Sequence, residues 1–343
     1  MVLKIGSPSV GDASREGRNS HVRVYIVGHG SIARRHIRNL AAIVPDAQFV
    51  MQRPRSHASD GVSAIAEFVD SPAEALDQGI DLAIVASATA DHISVLPELM
   101  AAQTPMYVEK PVVATARELA KVREAARESQ YRAPSVVGCN LRFLPSLEKT
   151  RSALRSGLIG AVVRAQFEAG QWLPDWRPGR DYRTSYSARS ALGGGVVLDL
   201  IHEIDAARWL LGDFDRVQAD LGTRSALEID SEDTAGILLS RRGGPLAVIS
   251  LDYVSRSAVR RYSFIGDAGT LTWDMPNATL THTDAHGSHE LGAGRDDFDV
   301  ASTYVRAMSE LLRAIDTGTD TDQPLEEGLR TMELAVRAKE ANG

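Results

Sequence analysis

The chain of 343 residues is short of several things. It has one cysteine, Cys139, so no intramolecular disulfide can brace it, and no Cys/His cluster has zinc-site spacing. A reducing compartment and no metal site are expected. Nowhere do about 18 apolar residues run together, the least that a membrane-spanning helix needs. Residues 1–20, rich in Ser, Gly and charge, contain no signal-peptide core and read as a flexible N-terminal arm. A cytoplasmic protein without a membrane partner is the expectation. Positive charge is scarce as well: 38 Lys and Arg face 45 Asp and Glu, a net charge of -7. That argues against a nucleic-acid binder working through bulk charge. Internal repeats at solenoid or propeller period and low-complexity blocks are also missing.

What is there is an ordinary globular composition, 43% hydrophobic and 24% charged, at a length that fits two domains. The apolar run Val22–Val27 leads into Gly28-His29-Gly30-Ser31-Ile32-Ala33 and then a helical pattern through Leu40 and Ile43. Strand, glycine turn and helix make a phosphate cradle. Gly28 serves the tight turn, Gly30 lets backbone approach a pyrophosphate, and Ala33 lets helix and strand pack closely. Gly28, Gly30, Ser31 and Ile32 are therefore candidate cofactor residues, with the phosphates on the positive helix end. Further strands are expected at Gln48–Met51, Leu82–Ala86, Met106–Val108 and Ser135–Val137. Helices are expected from Ser71-Pro72-Ala73-Glu74, from His92 to Ala102 and from Thr115-Ala116-Arg117-Glu118. This alternation predicts a doubly wound parallel sheet, a Rossmann domain, over residues 21–141. At the end of the second strand the chain reads Met51-Gln52-Arg53-Pro54-Arg55, without the carboxylate that would bind the ribose hydroxyls of NAD. Arg53 suits a 2′-phosphate, so NADP is expected ahead of NAD.

Residues 142–343 change character. Strands are expected at Val162–Glu168, Arg216–Leu221, Ala235–Ser240, Leu246–Tyr253, Arg261–Phe264 and Thr270–Trp273, joined in several places by short turns. They predict an α+β domain with a large open, mainly antiparallel sheet for substrate binding and oligomerisation. Helices at Leu147–Ser156, Val197–Leu211 and Ser302–Thr317 would cover one face, and the C-terminal helix is expected to pack back on the first domain. The other face would need a partner, making a homodimer or homotetramer the expected assembly.

Four separated motifs carry a resemblance. They are Ala86-Ser87-Ala88-Thr89-Ala90-Asp91-His92, Glu109-Lys110-Pro111, Gly138-Cys139-Asn140-Leu141-Arg142-Phe143-Leu144-Pro145, and Gly193-Gly194-Gly195 running through Asp199 and His202 to Asp205. In order and spacing they resemble the glucose-fructose oxidoreductase, inositol dehydrogenase and rhizopine catabolism (Gfo/Idh/MocA) family. Ala88 stands where that family often has proline. The resemblance implies an NAD(P)-dependent dehydrogenase or ketoreductase acting on the CH-OH group of a sugar, cyclitol or nucleotide sugar. It places Ser87, His92, Glu109, Lys110 and Asn140 at the cofactor, with Glu109 on the nicotinamide ribose. It places Lys110, Arg142, Asp199 and His202 at the substrate, with Lys110, His202 and Asp199 catalytic. Two functions share this fold: a glycosidase using transient oxidation and elimination with tightly bound NAD, and a non-catalytic sugar- or nucleotide-sensing regulator. The second would not need both Lys110 and His202.

The chemistry explains these residue types. Oxidising a carbinol by hydride transfer leaves a hydroxyl proton to be removed, so a titratable group must reach that oxygen. Lys110 ends a strand, where a doubly wound sheet puts its crevice, and His202 titrates near neutrality. Asp199 and Asp205 each lie three residues from His202 and either could orient its ring. The family usually spaces the first aspartate four residues away, which puts Asp199's role in question. A metalloprotease helix is excluded because Ala206 follows where a second histidine is needed.

The segment Gln171–Arg183 is the least generic part of the second domain. Trp172, Trp176 and Tyr182 can stack on sugar faces, and Arg177, Arg180 and Arg183 can grip carboxylate or phosphate. Trp172, Trp176 and Arg177 are therefore candidate substrate residues, against the plainer alternative of a structural loop or subunit contact. Across Leu141–Ser190 nine basic residues face four acidic ones, so an acidic chain concentrates positive charge here. A small, anionic sugar-type substrate is the sharper expectation, with no nucleic acid as partner.

Overall fold

The computed structural model describes residues 22–52 and 66–341. The expected N-terminal arm and Arg53 lie outside the described residues. Strands β1 (Arg23–Val27), β2 (Gln48–Gln52), β3 (Ala66–Val69), β4 (Leu82–Val85), β5 (Met106–Val108) and β6 (Ser135–Val137) form one sheet in the order β3-β2-β1-β4-β5-β6. Every pairing in it is parallel. All four residues of β4 are buried, as a sheet covered on both faces requires. The order reverses between β1 and β4, and ligands of such sheets bind outside the strand ends at that point.

Local chemistry explains several element ends. Thr115 accepts the Glu118 N–H while Glu118 reaches back to the Thr115 N–H, a complete capping box. Ser71 caps its helix in the same way, but Glu74 takes the Asp70 N–H instead of closing the box on Ser71. The helix expected over His92–Ala102 is two pieces, Thr89–His92 and Leu96–Ala101. Pro97 is the reason: lacking an N–H, it is tolerated only in a first turn, so a new helix starts there.

The second sheet has eight strands: β7 (Val162–Gly170), β8 (Arg216–Gly222), β9 (Thr234–Ser240), β10 (Leu246–Asp252), β11 (Val259–Gly266), β12 (Thr270–Asp274), β13 (Thr279–Asp284) and β14 (Gly287–Ala293). Their order is β14-β13-β12-β11-β7-β10-β9-β8, antiparallel except for β7 with β10. Period-2 alternation buries Ala165, Phe167 and Ala169 on one strand and Tyr262 and Phe264 on its neighbour. Phe167, Tyr262 and Trp273 form an aromatic row, and the Trp273 indole donates to Ser146 in the helix Pro145–Arg155.

One helix packs elsewhere than expected. Val300–Thr317 lies against the parallel sheet: its Ala307, Met308 and Leu311 join Val24, Ile26, Ile37 and Leu40 in one buried cluster. Its buried face is apolar enough to replace solvent over that sheet. The last helix, Leu325–Glu340, follows a segment that borders β6, where Gln323 accepts the Val137 N–H. A side chain at Gly328 would strike Val137 at 2.5 Å, so glycine permits this close approach.

Candidate active site

The first glycine turn is built as its residue types require. Gly28 has a φ of +118°, and a Cβ there would meet the Ala86 carbonyl oxygen at 2.4 Å, so only glycine fits. Gly30 differs: nothing lies within 4 Å of its missing Cβ, and space stands open in front of it. Gly30 begins the helix Ser31–Ile43, which has no side-chain cap and no acidic residue in its first turn. Its leading N–H groups are therefore unclaimed by any cap, and they face the end of β1 where the strand order reverses. This geometry fits a dinucleotide pyrophosphate, which Gly28, Gly30, Ser31 and Ile32 would hold.

Lys110 follows β5 directly, and the Lys110–Pro111 peptide bond is cis. Its Nζ donates to the Asp199 carbonyl at 2.7 Å. That carbonyl is free because the helix expected over Val197–Leu211 is broken. One helix covers Val196–Asp199, another starts at His202, and the Glu203 N–H bonds to Leu200 instead of Asp199. The glycines before the break are needed. Gly193 and Gly195 have φ of +86° and +117°, and a Cβ on Gly194 would meet the Tyr186 carbonyl at 2.2 Å.

Neither expected aspartate orients the His202 ring. The Asp199 carboxyl accepts a 2.6 Å hydrogen bond from Tyr253. Asp205 accepts from Arg142 at 2.6 and 2.8 Å and from Thr331 at 2.9 Å. Instead, Glu203 fixes the start of the helix: it is fully buried, with Arg260 at 2.8 Å and the Tyr262 hydroxyl at 2.9 Å. His202 Nδ1 and Asp199 Oδ1 are buried without a partner among the described residues. Burial, followed by the charges of Lys110 and Arg260, holds the His202 ring well below the usual imidazole pKa, so it is neutral at pH 7.

That depression has a measurable consequence, shared by His92, whose pKa is lowered chiefly by burial. Below about pH 6.5 the unfolded chain binds protons that these native rings refuse, so stability present above that pH is lost as the pH falls. The expected result is a melting temperature that declines from about pH 7 to about pH 5, and less steeply in His202→Gln. An equally steep decline in the variant would contradict a buried neutral ring.

The remaining candidates divide into those at this site and those tied up elsewhere. His92 is buried between the carbonyls of Val112 at 3.0 Å and Ser87 at 3.3 Å, bracing the loop after β4 against the segment after Lys110. Glu109 puts one oxygen on the buried His36 at 2.7 Å. Its other oxygen accepts the Lys110 N–H at 3.3 Å. Asn140, expected at the cofactor, donates to Thr303 at 2.6 Å and ties the helix Val300–Thr317 down. Arg142, expected at the substrate, has a side chain 3% exposed, paired with Asp205 and, at 3.5 Å, with Glu327. Trp172 lies under the Arg256 guanidinium at 3.7 Å.

Two tyrosines were not found by sequence reasoning. Tyr253 follows β10, and Tyr186 lies in the Gln171–Gly193 connection; burial and the Asp199 carboxyl raise both hydroxyl pKa values, so both stay protonated. Trp176 stacks edge-on against Tyr253 at 5.2 Å, and Arg177 lies over the Tyr186 ring at 5.3 Å. The continued β alternation through Tyr253 was the only available signal.

A six-stranded parallel sheet with a phosphate-ready helix end, whose Lys110 meets Asp199 and a neutral His202 on the helices between it and an open sheet, defines a dinucleotide-dependent oxidoreductase. The chain belongs to the Gfo/Idh/MocA family. Residues 22–135 match the model described as oxidoreductase family, NAD-binding Rossmann fold, and residues 147–272 match the GFO/IDH/MocA C-terminal domain. It is 28% identical to the uncharacterized oxidoreductase YrbE of Bacillus subtilis, covering 92% of this chain and 93% of the relative. It is also 28% identical to inositol 2-dehydrogenase 2 of Saccharopolyspora erythraea over 76% and 75% of the two chains. The solved structure of levoglucosan dehydrogenase with NADH and levoglucosan superposes with a TM-score of 0.81 at 17% identity, covering 94% of this chain and 97% of that one. No helix among the described residues is long and apolar enough to cross a membrane.

Proposed function

We propose that this enzyme reversibly oxidises a secondary hydroxyl of a sugar, cyclitol or nucleotide sugar. The observation that carries this reading is the meeting of Lys110, Asp199 and neutral His202, with His202 Nδ1 and Asp199 Oδ1 both buried and unpartnered. A substrate hydroxyl group supplies the partners these atoms lack. Bound nicotinamide supplies the hydride acceptor. Lys110 donates a hydrogen bond to the carbinol oxygen, and Asp199 holds the ammonium through its carbonyl. As the C–H hydride departs, the hydroxyl proton passes to His202, whose ring is neutral and ready to accept it. The imidazolium, disfavoured by desolvation and the nearby cations, returns the proton in the reductive direction. Relatives named for inositol and levoglucosan support the substrate class.

The test is a titration with both nicotinamides followed by a screen of polyols, sugars and nucleotide sugars for absorbance of the reduced cofactor. Reduction with at least one carbinol is expected; binding without reduction across the panel would overturn the reading.

NADP is the proposed cofactor ahead of NAD, on the strength of Arg53. Arg53→Ala is expected to weaken NADP by about tenfold or more and NAD little, the size of a charge-assisted hydrogen bond. Equal effects on both would remove the argument. The outward face of the eight-stranded sheet is the proposed contact between copies in a homodimer or homotetramer, which sedimentation analysis checks.

A further inference from the structure

Of the nine basic residues in Leu141–Ser190, four face carboxylates in the fold. Arg142 faces Asp205, Lys149 faces Asp297, Arg183 faces Asp181 and Glu228, and Arg189 faces Asp230. Arg177 and Arg180 belong to those without a carboxylate partner among the described residues; both are exposed and they alone of that group line a cavity. This cavity, of about 180 Å³, lies in the connection between β7 and the catalytic helix. The one carboxylate in its lining, Asp181, is occupied by Arg183 Nε at 2.9 and 3.1 Å.

This cavity shares walls with the catalytic site. Trp176 lines it and packs edge-on against Tyr253, whose hydroxyl donates to Asp199. Tyr186 lines it and stands beside the same carboxyl group. A substrate whose carbinol reaches Lys110 and His202 therefore projects its far end toward Arg177 and Arg180. Stacked over Tyr186, the Arg177 guanidinium keeps its edge N–H groups free to grip planar or tetrahedral oxyanions. Thr184 and Ser185, also in the lining, donate their hydroxyls to the Asp181 and Tyr182 carbonyls, which leaves the arginines as the donors facing the cavity.

We propose that this cavity is a subsite for an anionic substituent of the substrate, a carboxylate or phosphate carried on the sugar away from the carbinol that is oxidised. The inference rests on the proposed carbinol oxidation and names its substrate class. Two arginines without carboxylates are what a ligand charge satisfies, and the wall of Trp176 and Tyr186 offers an apolar surface for the sugar ring.

The test titrates the full-length chain, loaded with nicotinamide, with glucose, glucuronate, glucose 6-phosphate and inorganic phosphate at constant ionic strength. Calorimetry and intrinsic tryptophan fluorescence report binding. At least one anion is expected to bind about tenfold or more tightly than glucose, and Arg177→Ala/Arg180→Ala to remove that preference. Arg155→Ala, an exposed arginine at the end of another helix, is expected to leave it intact. The glucuronate and phosphate arms distinguish a sugar acid from a sugar phosphate. Anions binding no better than glucose, or an undiminished preference in the double variant, would overturn the subsite. The wild-type screen for nicotinamide reduction is read separately. Reduction by neutral polyols without anion preference defeats the subsite alone, whereas arginine-dependent anion binding without reduction by any carbinol defeats the proposed oxidation alone.

Discussion

Lys110→Ala is expected to lower kcat/KM by about a thousandfold or more, within the range seen when a positioned proton-transfer group is removed. The loss should fall on kcat, because the ammonium acts on the oxygen where charge changes as hydride leaves. Nicotinamide affinity should change little. The open turn at Gly28 and Gly30 and the uncapped helix Ser31–Ile43 lie on β1, while Lys110 follows β5 and spends its Nζ on Asp199. Stopped-flow mixing with saturating cofactor separates the two effects. Turnover within a few-fold of the wild type would remove Lys110 from the chemistry.

Arg142→Ala carries the largest expected cost in stability. Its guanidinium pairs with Asp205 through two bonds, and both side chains are 3% exposed, with Glu327 alongside. Removing one partner of a buried pair leaves an uncompensated charge, at a cost of about 3–5 kcal/mol. For a chain of this size that lowers the melting temperature by on the order of 10 °C. Asp205→Leu added to Arg142→Met should recover much of the loss, since an apolar pair of similar volume leaves no orphaned charge. In folded Arg142→Ala at low temperature, substrate KM should be close to that of the wild type. A selective rise in KM with unchanged stability would return Arg142 to the substrate.

How much of this was legible depends on whether a residue's role is local. The turn at Gly28, the cap at Thr115 and the lysine after β5 are set by neighbours within a few positions, and each stands where the pattern put it. The strands β3, β13 and β14 were missed. β3 is four residues with one fully buried, and Gly287–Ala293 has little apolar content to alternate. The break at Leu200 and Ile201 was hidden because neither is a helix breaker such as Gly or Pro; Lys110 takes the Asp199 carbonyl at the break. Arg142 shows the limit most plainly. The motif marks its place in the chain, but only the fold brings Asp205 and Glu327 to its guanidinium. Tyr253 and Tyr186 are of the same kind, since their partner Asp199 is distant in sequence.

The central claim is that Lys110 and neutral His202 handle the proton of a carbinol beside bound nicotinamide. Its most direct test is the pH dependence of kcat/KM with a carbinol found in the screen, measured for the wild type and His202→Gln. The predicted result is a wild-type rate that holds on the acid side to well below the pKa of a free imidazole, with a variant slower throughout and lacking that limb. A variant with the rate and pH profile of the wild type would contradict it.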